Sequence, residues 1–172
     1  MFFGGRKKYC AYSKKEIIIL AMKLNLAVNN ASKVPVKKAF IEKVVRETLE
    51  ESHLKFLGEK TLALSFAWIE EAEMRTINKT YRGKDRVTDV LSFCEYANFS
   101  NLKKAPEKEL FLGELLLCYN YIKAVVIARG RSQTKGLQKE LAEIVAHGVL
   151  HLLGFSHGKK MFAIQSVVAK KF

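Results

Sequence analysis

The 172-residue sequence predicts a single α/β (α+β) domain, with one mixed sheet of about four strands and helices packed on it. Three observations predict it. The apolar fraction of 49% suits a chain that folds around a core. There are only two prolines, Pro35 and Pro106, and no Ser/Gly-rich linker to divide the chain. Stretches of period-two hydrophobicity are interspersed with stretches at helical spacing, without strict strand–helix–strand alternation, internal repeats or low-complexity tracts.

The first strand is read at 23–30, where Leu24, Leu26 and Val28 alternate with polar or small residues, and NNAS then supplies turn chemistry. Val36, Phe40, Val44, Val45 and Leu49 recur at helical spacing and predict a helix over 36–52. TLALSFAWI, 61–69, is β-branched and aromatic enough for a second strand. Residues 70–82 open with acids, as a helix N-terminus favours, and Met74, Ile77 and Tyr81 form its expected buried stripe. VTDVLSF, 87–93, is the third strand, and 96–109, with Asn98, Ser100, Asn101 and Pro106, reads as a loop. LFLGELLLC, 110–118, is the fourth strand, and Gly113 within it marks a bulge. Two more helices follow over 119–129 and 137–153, separated by GRSQTKG.

The charge balance narrows the partner. Thirty Lys+Arg against 17 Asp+Glu leave a net charge of +13, which points to a polyanion, with nucleic acid ahead of an anionic membrane. No apolar run approaches the roughly 20 residues that span a bilayer. Cys10, Cys94 and Cys118 are too widely spaced for a CxxC pair or a disulfide framework, which fits a reducing compartment. The first 22 residues are basic and nearly free of acids, and their short IIILAM run does not make a secretory signal. The expectation is a basic extension over 1–22 and a domain over 23–172, in the cytoplasm, with organelle import as the alternative.

Three of the four histidines, His147, His151 and His157, fall within HGVLHLLGFSH. Positions four apart share one helix face, so His147 and His151 point the same way, on a stripe that runs back through Glu143 and Glu140. Gly154 is placed to stop the helix, after which the chain can return His157 to the same site. H-x-x-x-H-x-x-G-x-x-H thus offers three imidazoles around one side of a tetrahedron, with the fourth position open to water. That is the layout of catalytic zinc, since structural zinc is usually closed by four protein ligands. Nickel, copper and iron also accept imidazole, so Zn²⁺ is the default among them. His53, with no histidine neighbour, is read as a surface or capping residue. Metzincin proteases share this spacing, but they carry a glutamate as general base directly after the first histidine. Here that position is Gly148, which turns the reading away from peptide hydrolysis. Glu140 and Glu143 are candidates to orient an imidazole.

A second constellation lies in NKTYRGKDRVTDVLSF, 78–93, where Lys79, Arg82, Lys84 and Arg86 surround a glycine with Asp85 and Asp89 interspersed. Cations at a helix-to-strand loop suit phosphate contacts, and Tyr81 beside Arg82 could stack on an unpaired base. A solvated helix terminus would carry the same charges.

Together the two motifs resemble the YbeY family of endoribonucleases, the rRNA maturation factors. The likeness lies in His147-Gly-Val-Leu-His151-Leu-Leu-Gly-Phe-Ser-His157, Asn78, Tyr81-Arg82-Gly83-Lys84-Asp85, Thr88-Asp89-Val90-Leu91-Ser92-Phe93, Gly113-Glu114 and Glu140, over about residues 24–157. The resemblance implies a single α/β domain and zinc on His147, His151 and His157. It implies cleavage of single-stranded RNA in 3′-end maturation of small-subunit rRNA and in ribosome quality control. Arg82 matches the arginine such proteins need for cleavage. The ribosome or its proteins are then the implied partners, and no membrane is involved. The nucleophile is left open between a hydroxide on the metal and the RNA's own 2′-hydroxyl. The sequence departs from the family at Ser156, where an Asp is usual, and in the short basic GKKMF after His157, where an acidic stretch is usual; the tail ends in a basic AKKF, and the first 22 residues have no clear counterpart. Two other readings remain: a metal-dependent hydrolase of peptides or small molecules, and a non-catalytic ribosome-binding factor with a structural metal.

Overall fold

The structure, a computed structural model, describes residues 23–172, so the expected extension over 1–22 lies outside the described residues. One four-stranded mixed sheet and six α-helices make up the described part. The strands are β1 (Leu24–Asn29), β2 (Thr61–Trp68), β3 (Val90–Cys94) and β4 (Glu109–Leu117). The helices are α1 (Lys38–Ser52), α2 (Glu71–Arg82), α3 (Phe99–Lys104), α4 (Tyr119–Ala128), α5 (Lys135–Leu152) and α6 (Lys159–Ala169), with a 3₁₀ turn over Lys55–Glu59.

The sheet order is β1-β2-β4-β3. β1 and β4 flank β2 in parallel, and β3 closes the edge antiparallel to β4. The bulge expected at Gly113 is present: Ala63 pairs with Phe111, the next residue Leu64 pairs with Gly113, and Leu112 is extra. At Gly113 φ is +129°, and a Cβ would stand 2.1 Å from the Phe93 carbonyl oxygen, so only glycine lets β3 approach here.

Alternation along β4 sorts the core. Leu115 and Leu117 join the main cluster with α1, α4, α5 and α6, whereas Leu116 joins Met74 of α2 and Leu91 of β3 in a smaller one. Helix α2 therefore covers the opposite face of the β3–β4 edge. Helix α5 is the central element, and eleven of its 18 residues are buried, which leaves little of it for solvent. Gly148 explains the close fit of α5 on the sheet, since a Cβ there would meet the Leu115 methyls at 2.8 and 2.9 Å. The glutamate of the metzincin pattern would not fit.

Three expectations change. Residues 96–109 are not all loop: Asn98 caps α3 by accepting a hydrogen bond from the Asn101 amide at 3.0 Å, so residues read as turn formers are cap chemistry. Tyr81 is no part of the buried stripe of α2. It is 66% exposed and touches Phe93 edge-to-face, while Met74 is fully buried. The C-terminal segment, read as a short basic tail, is α6, which buries Met161, Ile164 and Val168. Its end is fastened to α1 by Lys171, which donates to Glu47 at 2.6 Å and Glu51 at 2.9 Å, and by Phe172 against Phe40. His53 is the left-handed C-cap residue of α1, at φ 56°.

Candidate metal centre

Helix α5 carries His147 and His151 into a cleft. Gly154, at φ +79°, then reverses the chain in the left-handed conformation that favours glycine. A Cβ on Gly154 would meet the Phe99 amide nitrogen at 2.5 Å, so the turn is pressed directly onto the start of α3. The reversal returns His157 to its two partners. The Nε2 atoms of the three rings stand 3.1 Å (His147–His151), 3.0 Å (His151–His157) and 3.3 Å (His147–His157) apart. Among the described residues no thiol or carboxylate joins this group.

Proton bookkeeping shows what these rings lack. Gln165 of α6 donates from Nε2 to Glu143 Oε1 at 3.3 Å, which turns its Oε1 toward His147 Nδ1 at 2.9 Å. That oxygen only accepts, so His147 Nδ1 carries a proton, and in the neutral ring its Nε2 is then the lone pair. His151 Nδ1 likewise donates to the Phe155 carbonyl at 3.1 Å, leaving its Nε2 bare. In the neutral rings two lone pairs thus face each other across 3.1 Å. Such an arrangement is repulsive unless a cation sits among the nitrogens. Ligands about 2.0–2.1 Å from a tetrahedral ion stand about 3.3 Å apart, which is the spacing here. The donor set fits a small transition-metal cation. Burial, and then the neighbouring His147 and His157, hold the His151 pKa down at about 4, so this ring stays neutral, as a ligand must be.

The carboxylates of the histidine stripe divide. Glu140 does not reach the histidines. It is bound by Arg129 Nη1 at 2.8 Å and by Arg131, both from the turn between α4 and α5. Glu143 acts on His147 only through Gln165. That glutamine was missed in sequence because α6 was read as a tail. The 161, 164, 168 spacing of apolar residues was the signal that could have found the helix.

The cleft holding the histidines has a volume of about 540 Å³, and its other wall carries Arg82, Lys84 and Arg86. The structure thus brings Arg82 to the cleft of His147, His151 and His157, where its Nη2 donates to the Ser92 carbonyl at 3.3 Å. Lys79 is not among the lining cations: Asp85 takes it at 3.1 Å and Arg75 at 2.6 Å, and these two cations hold the Asp85 carboxyl below its ordinary range. Asn78 is buried and donates to the Arg86 carbonyl at 2.7 Å, fixing the loop that presents Arg86. Ser156 is exposed on the cleft wall beside His157.

Comparison with known proteins places this geometry. The profile of the family described as Endoribonuclease YbeY matches residues 27–172. The chain belongs to the YbeY family. It is 31% identical over 147 residues to the Endoribonuclease YbeY of Buchnera aphidicola, covering 86% of this chain and 81% of that one. To the protein of the same name from Roseiflexus castenholzii it is 33% identical over 122 residues, 71% of each chain. The solution structure of TM1509 from Thermotoga maritima superposes with a TM-score of 0.52 at 25% identity, over 86% of this chain and 87% of that one. The YbeY relationship supports an RNA-cleaving hydrolase, as an endoribonuclease is.

Proposed function

We propose that this chain is a metal-dependent endoribonuclease acting on single-stranded RNA, with His147, His151 and His157 as the metal ligands and Arg82 as the catalytic cation. The observation that carries the reading is the convergence of three Nε2 atoms, with the Nδ1 atoms of His147 and His151 turned outward onto acceptors. Zinc is the ion proposed. When bound, it supplies Lewis acidity toward a phosphoryl oxygen or a water.

The chain's own residues supply the rest. Arg82, Lys84 and Arg86 present positive charge along the cleft, where they would hold the phosphates of the strand. Arg82 is placed to neutralise charge growing on the scissile phosphate, an electrostatic contribution made where it is needed. The exposed ring of Tyr81 offers a face to an unpaired base. Glu143 and Gln165 keep His147 in one tautomer.

The proposed substrate is small-subunit rRNA, cleaved during 3′-end maturation and ribosome quality control, with the ribosome as partner in the cytoplasm. Residues 23–172 form the nuclease domain in this proposal, and 1–22 a basic extension. The family relationship, the net charge of +13 and the cationic cleft support it. The test is to quantify bound metal and compare cleavage of single-stranded RNA by wild type, His151→Ala and Arg82→Ala. His151→Ala should lose both metal and cleavage, and Arg82→Ala should keep metal and lose cleavage. Full cleavage by well-purified His151→Ala would overturn the proposal.

A further inference from the structure

A second cavity, of about 410 Å³, opens on the far side of the turn that carries His157. It shares Gly154, Phe155 and Ser156 with the histidine cleft, so these residues form a wall common to both. Its character differs from that of the cleft. Leu54 and the rings of Phe99 and Phe155 supply apolar surface, Lys159 and Lys160 supply cations, and among the described residues no carboxylate lines it. Phe99 is 37% exposed although its ring is steadied edge-to-face by Phe56 at 5.9 Å. Lys160 holds its ammonium 5.3 Å from the centre of the Phe155 ring, which places a positive charge at the cavity wall. The cavity is also tied rigidly to the histidines, because Gly154 packs against the backbone of Phe99 itself.

We propose that this cavity is a nucleotide subsite: it takes the unpaired base of a neighbouring nucleotide in the strand whose phosphate lies at the histidines. The inference rests on the RNA-cleaving reading of that cleft. A half-exposed aromatic ring beside fixed cations is what a single-stranded base and its phosphate need, and stacking on an aromatic tolerates any base. Ser156 stands where the strand would cross from one cavity to the other. It is exposed and uncharged, so it does not repel a passing phosphate.

The zinc-loaded full-length protein should be assayed with single-stranded oligoribonucleotides lengthened one nucleotide at a time from either side of the cut bond. The wild type should show a step of about tenfold in kcat/KM when the chain first reaches the cavity, as expected for one stacked base. An abasic nucleotide at that position should erase the step. Phe99→Ala should erase it too, Phe99→Trp should keep it, and intact and abasic substrates should be equal in Phe99→Ala. Ser156→Asp should slow long substrates more than short ones, with the difference shrinking as salt rises. The abasic comparison needs no variant, so it stands even where Phe99→Ala folds poorly. Cleavage with no length step, or a step that survives base removal, would overturn the subsite and leave the nuclease reading intact. No cleavage at any length by the metal-loaded wild type would overturn both.

Discussion

Helix α5 carries two polar clusters on one side, about two turns apart, and they are built in opposite ways. At its first half Glu140, 8% exposed, is met by Arg129 and Arg131. The one carboxylate there is bound by two cations, and nothing further is required. At its second half three like groups converge, and two of them, His147 and His151, turn their Nδ1 protons outward, away from the contact. Both clusters are held by side-chain hydrogen bonds. The difference teaches that order alone does not mark a binding site; a surplus of one kind of donor does. The arginine pair closes the first cluster from within the fold, whereas the second is a group that could hold a metal ion.

Removing His151 breaks the comparison most severely. A site with three ligands reduced to two no longer encloses the ion, so His151→Ala should drop bound metal from about one per chain to background, read by elemental analysis after dialysis. Its fold should survive, since the lost ring belongs to a repulsive cluster. A variant that retains a full equivalent of metal would sink the contrast. At the other end, Arg129→Ala together with Arg131→Ala leaves Glu140 as an unpaired, largely buried charge. Destabilisation on the order of 3 kcal/mol is expected in denaturant unfolding, with metal content unchanged. If Glu140→Gln in the same background does not restore part of that loss, the cost is not one of unpaired charge.

Between these lies Gln165, which joins Glu143 to His147. Gln165→Ala should weaken metal binding roughly 10- to 100-fold in a competition titration, because His147 loses the acceptor that fixes its tautomer. Gln165→Glu paired with Glu143→Gln, which keeps both an acceptor for His147 and a donor across the Glu143 contact, should recover much of it. Equal affinity in Gln165→Ala and wild type would show that the amide only packs.

The two ends of α5 also mark what could be read in the sequence. Alternation at 23–30 and short apolar or aromatic runs at the other three located all four strands to within a few residues, and the H-x-x-x-H spacing located the histidines, because both depend on local properties that the chain carries in itself. The role of Glu140 was not legible: its stripe position argued for the histidines, and only the tertiary turn that brings Arg129 and Arg131 across gives it away. Gln165 was hidden for a related reason. Helix α6 is short and begins KK after Gly158, so its one local sign is the 161, 164, 168 apolar spacing that docks it against α1 and α5. Gly148 was read through its absent carboxylate, but its neighbour Leu115 shows that packing dictates glycine there.

The smallest expected effect sharpens the same contrast through pH. His151 has its ordinary pKa of 6.5 lowered to about 4, first by burial and then by the neighbouring His147 and His157. The unfolded chain therefore takes up a proton on this residue as pH falls below about 6.5, while the native chain does not until about 4. A group with a depressed native pKa favours the native state above its unfolded value and loses that contribution as pH falls through the native one. In chelator-treated protein the melting temperature should decline from pH 6.5 toward pH 4, and His151→Asn should decline less over the same range. Carboxylates elsewhere also titrate toward acid, so the difference between the two curves is the measurement. Parallel curves would mean that His151 is no more reluctant to take a proton in the folded chain than in the unfolded one, and the reading of its ring as a neutral donor held ready for a cation would fail with it.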